Sequence, residues 1–80
     1  MTIGWRIYVK GLLKAELKKK DITYRTLVER LAELGINVTE ANIANKISRG
    51  GFTAVFLIQC LTAIECEVFR LSEMPPKRTV

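Results

Sequence analysis

Histidine is absent from this chain, and cysteine and proline occur only twice each. Without imidazole, the commonest metal ligand and general base near neutral pH is missing. Cys60 and Cys66 supply half of the four ligands a structural zinc needs, so neither a metal nor another cofactor is expected. They read instead as free thiols in a reducing compartment, Cys60 being a small buried hydrophobe. No carboxylate pair stands in a recognisable catalytic setting, and Gly50-Gly51 is a lone helix terminator rather than a nucleotide cradle. An enzyme, or a site for a small-molecule ligand, is therefore not expected. Long apolar runs are lacking too. The longest nearly uncharged run, Gly50 to Ile64, covers about 15 residues and is too short to span a bilayer. Trp5 to Leu17 is broken by Arg6, Lys10, Lys14 and Glu16 and does not read as a secretory signal. The expectation is a cytoplasmic, nucleoid-associated protein with no membrane partner. Acidic residues are scarce as well: 8 Asp and Glu stand against 13 Lys and Arg, a net charge of +5 that favours polyanionic partners.

What is present is a core's worth of apolar residues, 49% of 80, enough for one small domain whose margin of stability is modest unless it associates. The domain is expected over residues 1–73. A flexible basic tail is expected over 74–80, where Pro75-Pro76 cannot continue a helix and Lys77-Arg78 add charge.

Periodicity predicts an all-α chain of four to five short helices. From Gly4 to Lys20, the residues Trp5, Tyr8, Val9, Leu12, Leu13 and Leu17 recur at three- and four-residue spacing as an apolar stripe. Arg6, Lys10, Lys14 and Lys18 form a ridge on the other side, read mainly as solvated, with a phosphate-facing role as the alternative. Trp5 and Tyr8 read as core or interface residues rather than base-stacking platforms. Thr23 caps a second helix, with Ile22 and Leu27 as its hydrophobic staple. That helix buries Tyr24, Leu27, Val28, Leu31 and Leu34, shows Arg25, Thr26, Glu29, Arg30 and Glu33 to solvent, and ends at Gly35. Phe52-Thr53 opens a further helix in the same way, apolar nearly all round from Ala54 to Ile64. Cys66 to Leu71 fits either a fifth helical turn or a short strand.

Between these lies the most informative stretch, Thr39 to Gly51. Thr39 is the cap, Val38 and Ile43 the staple, and Gly50-Gly51 the stop. On a helical wheel Ile43 and Ile47 share one side; Asn42, Asn45 and Arg49 share the other, flanked by Lys46 and Ser48. Two helices joined by a glycine-containing turn, the second polar and cationic outside, are the ingredients of a helix-turn-helix. A major groove about 12 Å wide admits one helix, where Asn can bond adenine N6 and N7 and Arg can bond guanine O6 and N7. Asn42, Asn45 and Arg49 are thus candidate base contacts. Thr23, Arg25, Thr39, Lys46 and Ser48 are candidate phosphate contacts, Thr23 and Arg25 standing beside free N–H groups at a helix start. The competing reading is a solvated face, with Arg49 paired to Glu40, Glu65 or a helix C-terminus.

The run Ile43-Ala44-Asn45-Lys46-Ile47-Ser48-Arg49-Gly50 resembles the end of the third helix of XRE, or lambda-repressor-like, DNA-binding domains. Trp5, Val9-Lys10, Leu13-Lys14, the same central run, Phe52 and Gln59-Cys60-Leu61 are similar to a family of small bacterial domains of unknown function carrying an NKISRG motif. The resemblance implies a lambda-repressor-like helix-turn-helix bundle, extending through Leu71, and no established activity. Two departures stand out. Val28 replaces the small residue typical early in the second helix, which runs about one turn longer. The span from Gly35 to Gly50 is about three residues longer than the common pattern, so a lengthened turn is expected.

The function expected is sequence-specific binding of double-stranded DNA by a small dimeric transcriptional regulator, with the helix over residues 40–49 in the major groove. The alternative is a protein-interaction module, an adaptor or antitoxin-like partner using the same surface. A homodimer is expected because Phe52, Phe56, Leu57, Cys60, Leu61 and Ile64 fill the inner side of the last helix. That leaves Val55, Ile58 and Phe69 as candidate interface residues.

Overall fold

The computed structural model describes residues 4–71; the tail expected over 74–80 and the ends of the expected domain lie outside them. Four helices follow one another: α1 (Trp5–Lys19), α2 (Tyr24–Glu33), α3 (Glu40–Arg49) and α4 (Ala54–Ala63). No strand occurs among the described residues, so the fold is all-α. A threonine starts each of the last three helices. Thr23, Thr39 and Thr53 accept the N–H of Thr26, Asn42 and Phe56 at 3.1, 3.0 and 3.1 Å, so each satisfies one donor that the helix itself cannot. Such a cap contributes about 1 kcal/mol.

Three helices also end alike. The N–H groups of Ile22, Ile36 and Cys66 reach back to the carbonyls of Leu17, Leu31 and Leu61 at 2.8–2.9 Å, the six-to-one bond of a Schellman motif. The residue before each is left-handed: Asp21 (φ 57°), Gly35 (φ 83°) and Glu65 (φ 59°). Cations tie three helix-terminal carbonyls to distant elements. Lys10 Nζ donates to Ser48 O (3.1 Å), Arg30 Nη1 to Ala63 O (3.4 Å) and Lys20 Nζ to Glu65 O (3.3 Å). Part of the basic excess therefore closes helix ends inside the molecule, where positive charge also suits the dipole.

Each helix delivers an i,i+4 pair to one core: Leu13 and Leu17, Leu27 and Leu31, Ile43 and Ile47, Cys60 and Ile64. Phe56 and Leu61 add to it. α3 packs against both α1 and α2, and α4 packs against α2. Residues Leu34 to Thr39 form the connection between α2 and α3, a wide turn as expected.

Five expectations need correction. The buried side of α1 is set by Leu13 and Leu17, with Tyr8, Val9, Lys10 and Leu12 half-buried, and the predicted stripe fails at its first residue, Trp5. Trp5 is left 62% exposed, its ring edge-on to half-buried Tyr8 at 5.9 Å. The reason is that the first turns of α1 meet the glycine end of α3 rather than an apolar layer. Leu34 is exposed because it is the C-cap of α2, and Ile36 packs on the core after the chain has turned. Arg30 and Thr26 are half-buried rather than solvated. Cys66 to Leu71 is neither helix nor strand. Its Cys66 Sγ bonds Val68 O (3.3 Å) and Glu16 Oε1 (3.6 Å), which folds the segment onto α1. Phe69, expected at an interface, is half-buried against the core.

Candidate nucleic-acid interface

α3 separates its two sides completely. Ile43 and Ile47 have no exposed surface, whereas Asn42, Asn45, Lys46, Ser48 and Arg49 are all exposed. The Thr39 cap and the left-handed Gly50 (φ 70°) hold the two ends of that face. Both staple partners are in place, Ile43 fully buried and Val38 half-buried against the core.

The outer face borders an open cleft of about 520 Å³. Asn42, Asn45, Lys46 and Arg49 line it from α3. Gly51, Phe52 and Thr53 line it from the start of α4, and Arg6 from α1. The lining holds three cations and two carboxamides and no acidic residue. Among the described residues the one ion pair is Lys19 with Glu16, at 3.0 Å, so neither Arg49 nor Arg6 has a carboxylate partner there. Arg49 is thus not paired with Glu40 or Glu65. The Lys46 ammonium lies 5.0 Å from the centre of the Phe56 ring, a contact that steadies the side chain and leaves its charge in place.

The expected phosphate contacts do not all gather here. Thr23 lines a second, more apolar hollow of about 460 Å³ with Lys14, Leu17, Lys18 and Tyr24. Burial there raises the Tyr24 hydroxyl pKa. Arg25 is exposed beside the start of α2 and lines neither hollow. The Thr39 hydroxyl is occupied as an acceptor by its capping bond. Ser48 is exposed, while its carbonyl takes the Lys10 ammonium. Of the cationic ridge on α1, Arg6 enters the first cleft, Lys10 closes α3, and Lys14 and Lys18 border the second. Arg6, read from the sequence mainly as part of a solvated ridge with a phosphate-facing role as the alternative, is the ridge residue that lines this cleft. The signal for that place is its position seven residues before Leu13, in line with the core-facing residues further along α1, although Arg6 itself is exposed.

A family model described as a domain of unknown function, DUF6471, matches residues 5–69. This chain belongs to the DUF6471 family. The match covers all four helices and the segment that returns over α1, so the cleft is built wholly from DUF6471 residues. No curated protein and no solved structure matches the chain. Among the described residues of this DUF6471 domain, no cluster of three or more His, Cys, Asp or Glu is placed to hold a metal, and no helix is long and apolar enough to cross a membrane.

Proposed function

We propose that this DUF6471 domain binds double-stranded DNA in a sequence-specific manner, as a small dimeric transcriptional regulator acting at the nucleoid. α3 lies in the major groove in this reading, in the manner of XRE-like helix-turn-helix domains. The observation that carries it is the outer face of α3: Asn42, Asn45, Lys46 and Arg49 all exposed beside a cleft without an acidic residue. Carboxamides and a guanidinium suit base edges, and an ammonium suits phosphate. The α2–α3 arrangement supports the same reading, since α2 packs against a second helix whose polar side is exposed. Dimerisation is supported by α4, where Val55 and Ile58 stand 65% and 59% exposed one turn apart. The role assigned is binding, with no catalysis and no cofactor.

Selection from a pool of random duplexes, followed by the salt dependence of binding to the recovered sequence, tests the reading. A recovered palindrome, with affinity falling steeply as salt rises, is the expected result. Recovery of no preferred sequence, with binding indifferent to salt, overturns it in favour of a protein-interaction module using the same surface.

A further inference from the structure

The two glycines after α3 have different physical reasons to be glycine. Gly50 is left-handed at φ 70°, and a Cβ there would fall on the Arg6 carbonyl oxygen and 2.9 Å from its carbon. It lets the backbones of α1 and α3 meet. Gly51 is not in the left-handed region, so conformation does not require glycine there. The contact there is spatial: a Cβ at Gly51 would lie 3.1 Å from Arg6 Cζ, 3.2 Å from Nε and 3.4 Å from Nη1, so the tip of the Arg6 side chain would have to give by a few tenths of an ångström. The bare Gly51 backbone is thus the surface against which the Arg6 guanidinium rests.

That position is the cleft beside the reading face, where Arg6 joins Lys46 and Arg49. Like charges drawn to one cleft repel one another, and an anion between them relieves that cost. No carboxylate supplies it, for none lines the cleft and none among the described residues pairs with Arg6. A guanidinium also presents donors in a planar fork that fits two phosphate oxygens at once. Arg6 stands on a different helix from the reading face and approaches its C-terminal end, beside Arg49.

We propose that Arg6, together with Lys46, forms a phosphodiester site flanking the base pair that Arg49 reads, with Gly51 as the residue that positions Arg6. This rests on the DNA-binding reading and adds to it a backbone contact from α1. Because a phosphate contact carries no sequence information, Arg6 sets affinity and register rather than base preference.

Two measurements test it together: salt-dependent binding to the selected duplex and to a random one, and a titration with inorganic pyrophosphate followed at the Arg6 Nε–Hε signal. Arg6→Ala is expected to lower the magnitude of the log K against log salt slope by about 0.9 on both duplexes, with base preference unchanged. Arg6→Lys restores the slope without the full affinity. Gly51→Ala, which leaves every charge in place, weakens both duplexes alike, by less than Arg6→Ala does, through displacement of the fork. Pyrophosphate shifts the Arg6 signal saturably in the wild type and less in Gly51→Ala. Suppose Arg6→Ala and Gly51→Ala keep the wild-type slope and affinity while Asn45→Ala still relaxes base choice. The phosphate site is then wrong and the DNA reading stands. Saturable pyrophosphate binding at Arg6 by a chain that binds no duplex keeps the anion site and removes the DNA reading. Neither kind of binding removes both.

Discussion

At the scale of single residues, Asn45 and Arg49 are exposed and opposite two isoleucines that have no exposed surface, so their side chains can be removed without opening the core. Asn45→Ala and Arg49→Ala are each expected to weaken binding to the selected duplex by about 1–3 kcal/mol and to relax choice at one base pair. Melting temperature should hold; normal binding with a lowered melting temperature would make the residue structural. Lys46→Ala should weaken all duplexes alike and reduce the salt slope by about 1. It also removes the contact with Phe56, so a stability loss of about 0.5–1 kcal/mol accompanies it. An unchanged slope would take Lys46 off the DNA. Cys60 titrates in the opposite sense from a reactive thiol. Burial pushes its pKa up to about 12 from the usual 9.0, with the Lys46 charge pulling slightly back. A raised folded value means that the protonated thiol favours the folded chain below about pH 9 and that this contribution is lost as pH climbs towards 12. Alkylation at neutral pH should therefore leave Cys60 untouched until the chain unfolds, and native-state labelling of Cys60 followed by mass spectrometry would contradict its burial. Cys66 is half-exposed, and its thiol is raised by burial and by the neighbouring Glu16 carboxylate, so it should label slowly but first.

At the scale of elements, local signals were the legible part. The caps Thr23, Thr39 and Thr53, the staples Ile22–Leu27 and Val38–Ile43, and the stops Gly35 and Gly50 act between near neighbours, so the sequence carries them directly. The i,i+4 pairs of α2 and α3 were legible for the same reason. The register of α1 was not. Trp5, Tyr8 and Leu12 swing the apolar stripe to one side, but what the start of α1 packs against is the glycine end of a helix more than forty residues away, and periodicity holds no information about that. For this reason the ridge containing Arg6 could be read but its place beside Lys46 and Arg49 could not. The two left-handed glycines separate local strain from this distant contact. Gly35→Ala meets nothing within 4 Å, so its cost is the left-handed backbone alone, about 1 kcal/mol. Gly50→Ala adds a collision with the Arg6 carbonyl, and α1 must move away from α3. A loss of about 3 kcal/mol or more is expected, together with loss of duplex binding. Equal destabilisation of the two variants in urea titrations would mean that α1 does not approach Gly50 closely.

At the scale of the whole molecule, the question is what covers α4. Its inner side supplies Phe56, Cys60, Leu61 and Ile64 to the core, and the outer side leaves Val55 and Ile58 to solvent. Phe69 is no longer available for that outer patch, being packed inward, so the interface proposed here rests on α4 itself. The position of that patch gives the proposal its force. Thr53 lines the cationic cleft, and Val55 and Ile58 follow on the same helix within about 8 Å of rise. In the proposed dimer, a two-fold axis beside α4 would turn the two α3 faces towards one side. Half-sites about one helical turn apart, roughly 34 Å, are what such a pair would read. Ile58→Glu places a carboxylate in that interface with no partner for it. Because Ile58 is exposed in the single chain, the variant should fold with little change in circular dichroism, sediment as a monomer, and bind the selected duplex far more weakly while retaining binding to one half-site at high protein concentration. Two results would defeat the idea. One is a wild type that sediments as a monomer at high micromolar concentration with full duplex affinity. The other is an Ile58→Glu chain that does not fold, since Ile58 would then belong to the core that the exposed face of α4 excludes it from.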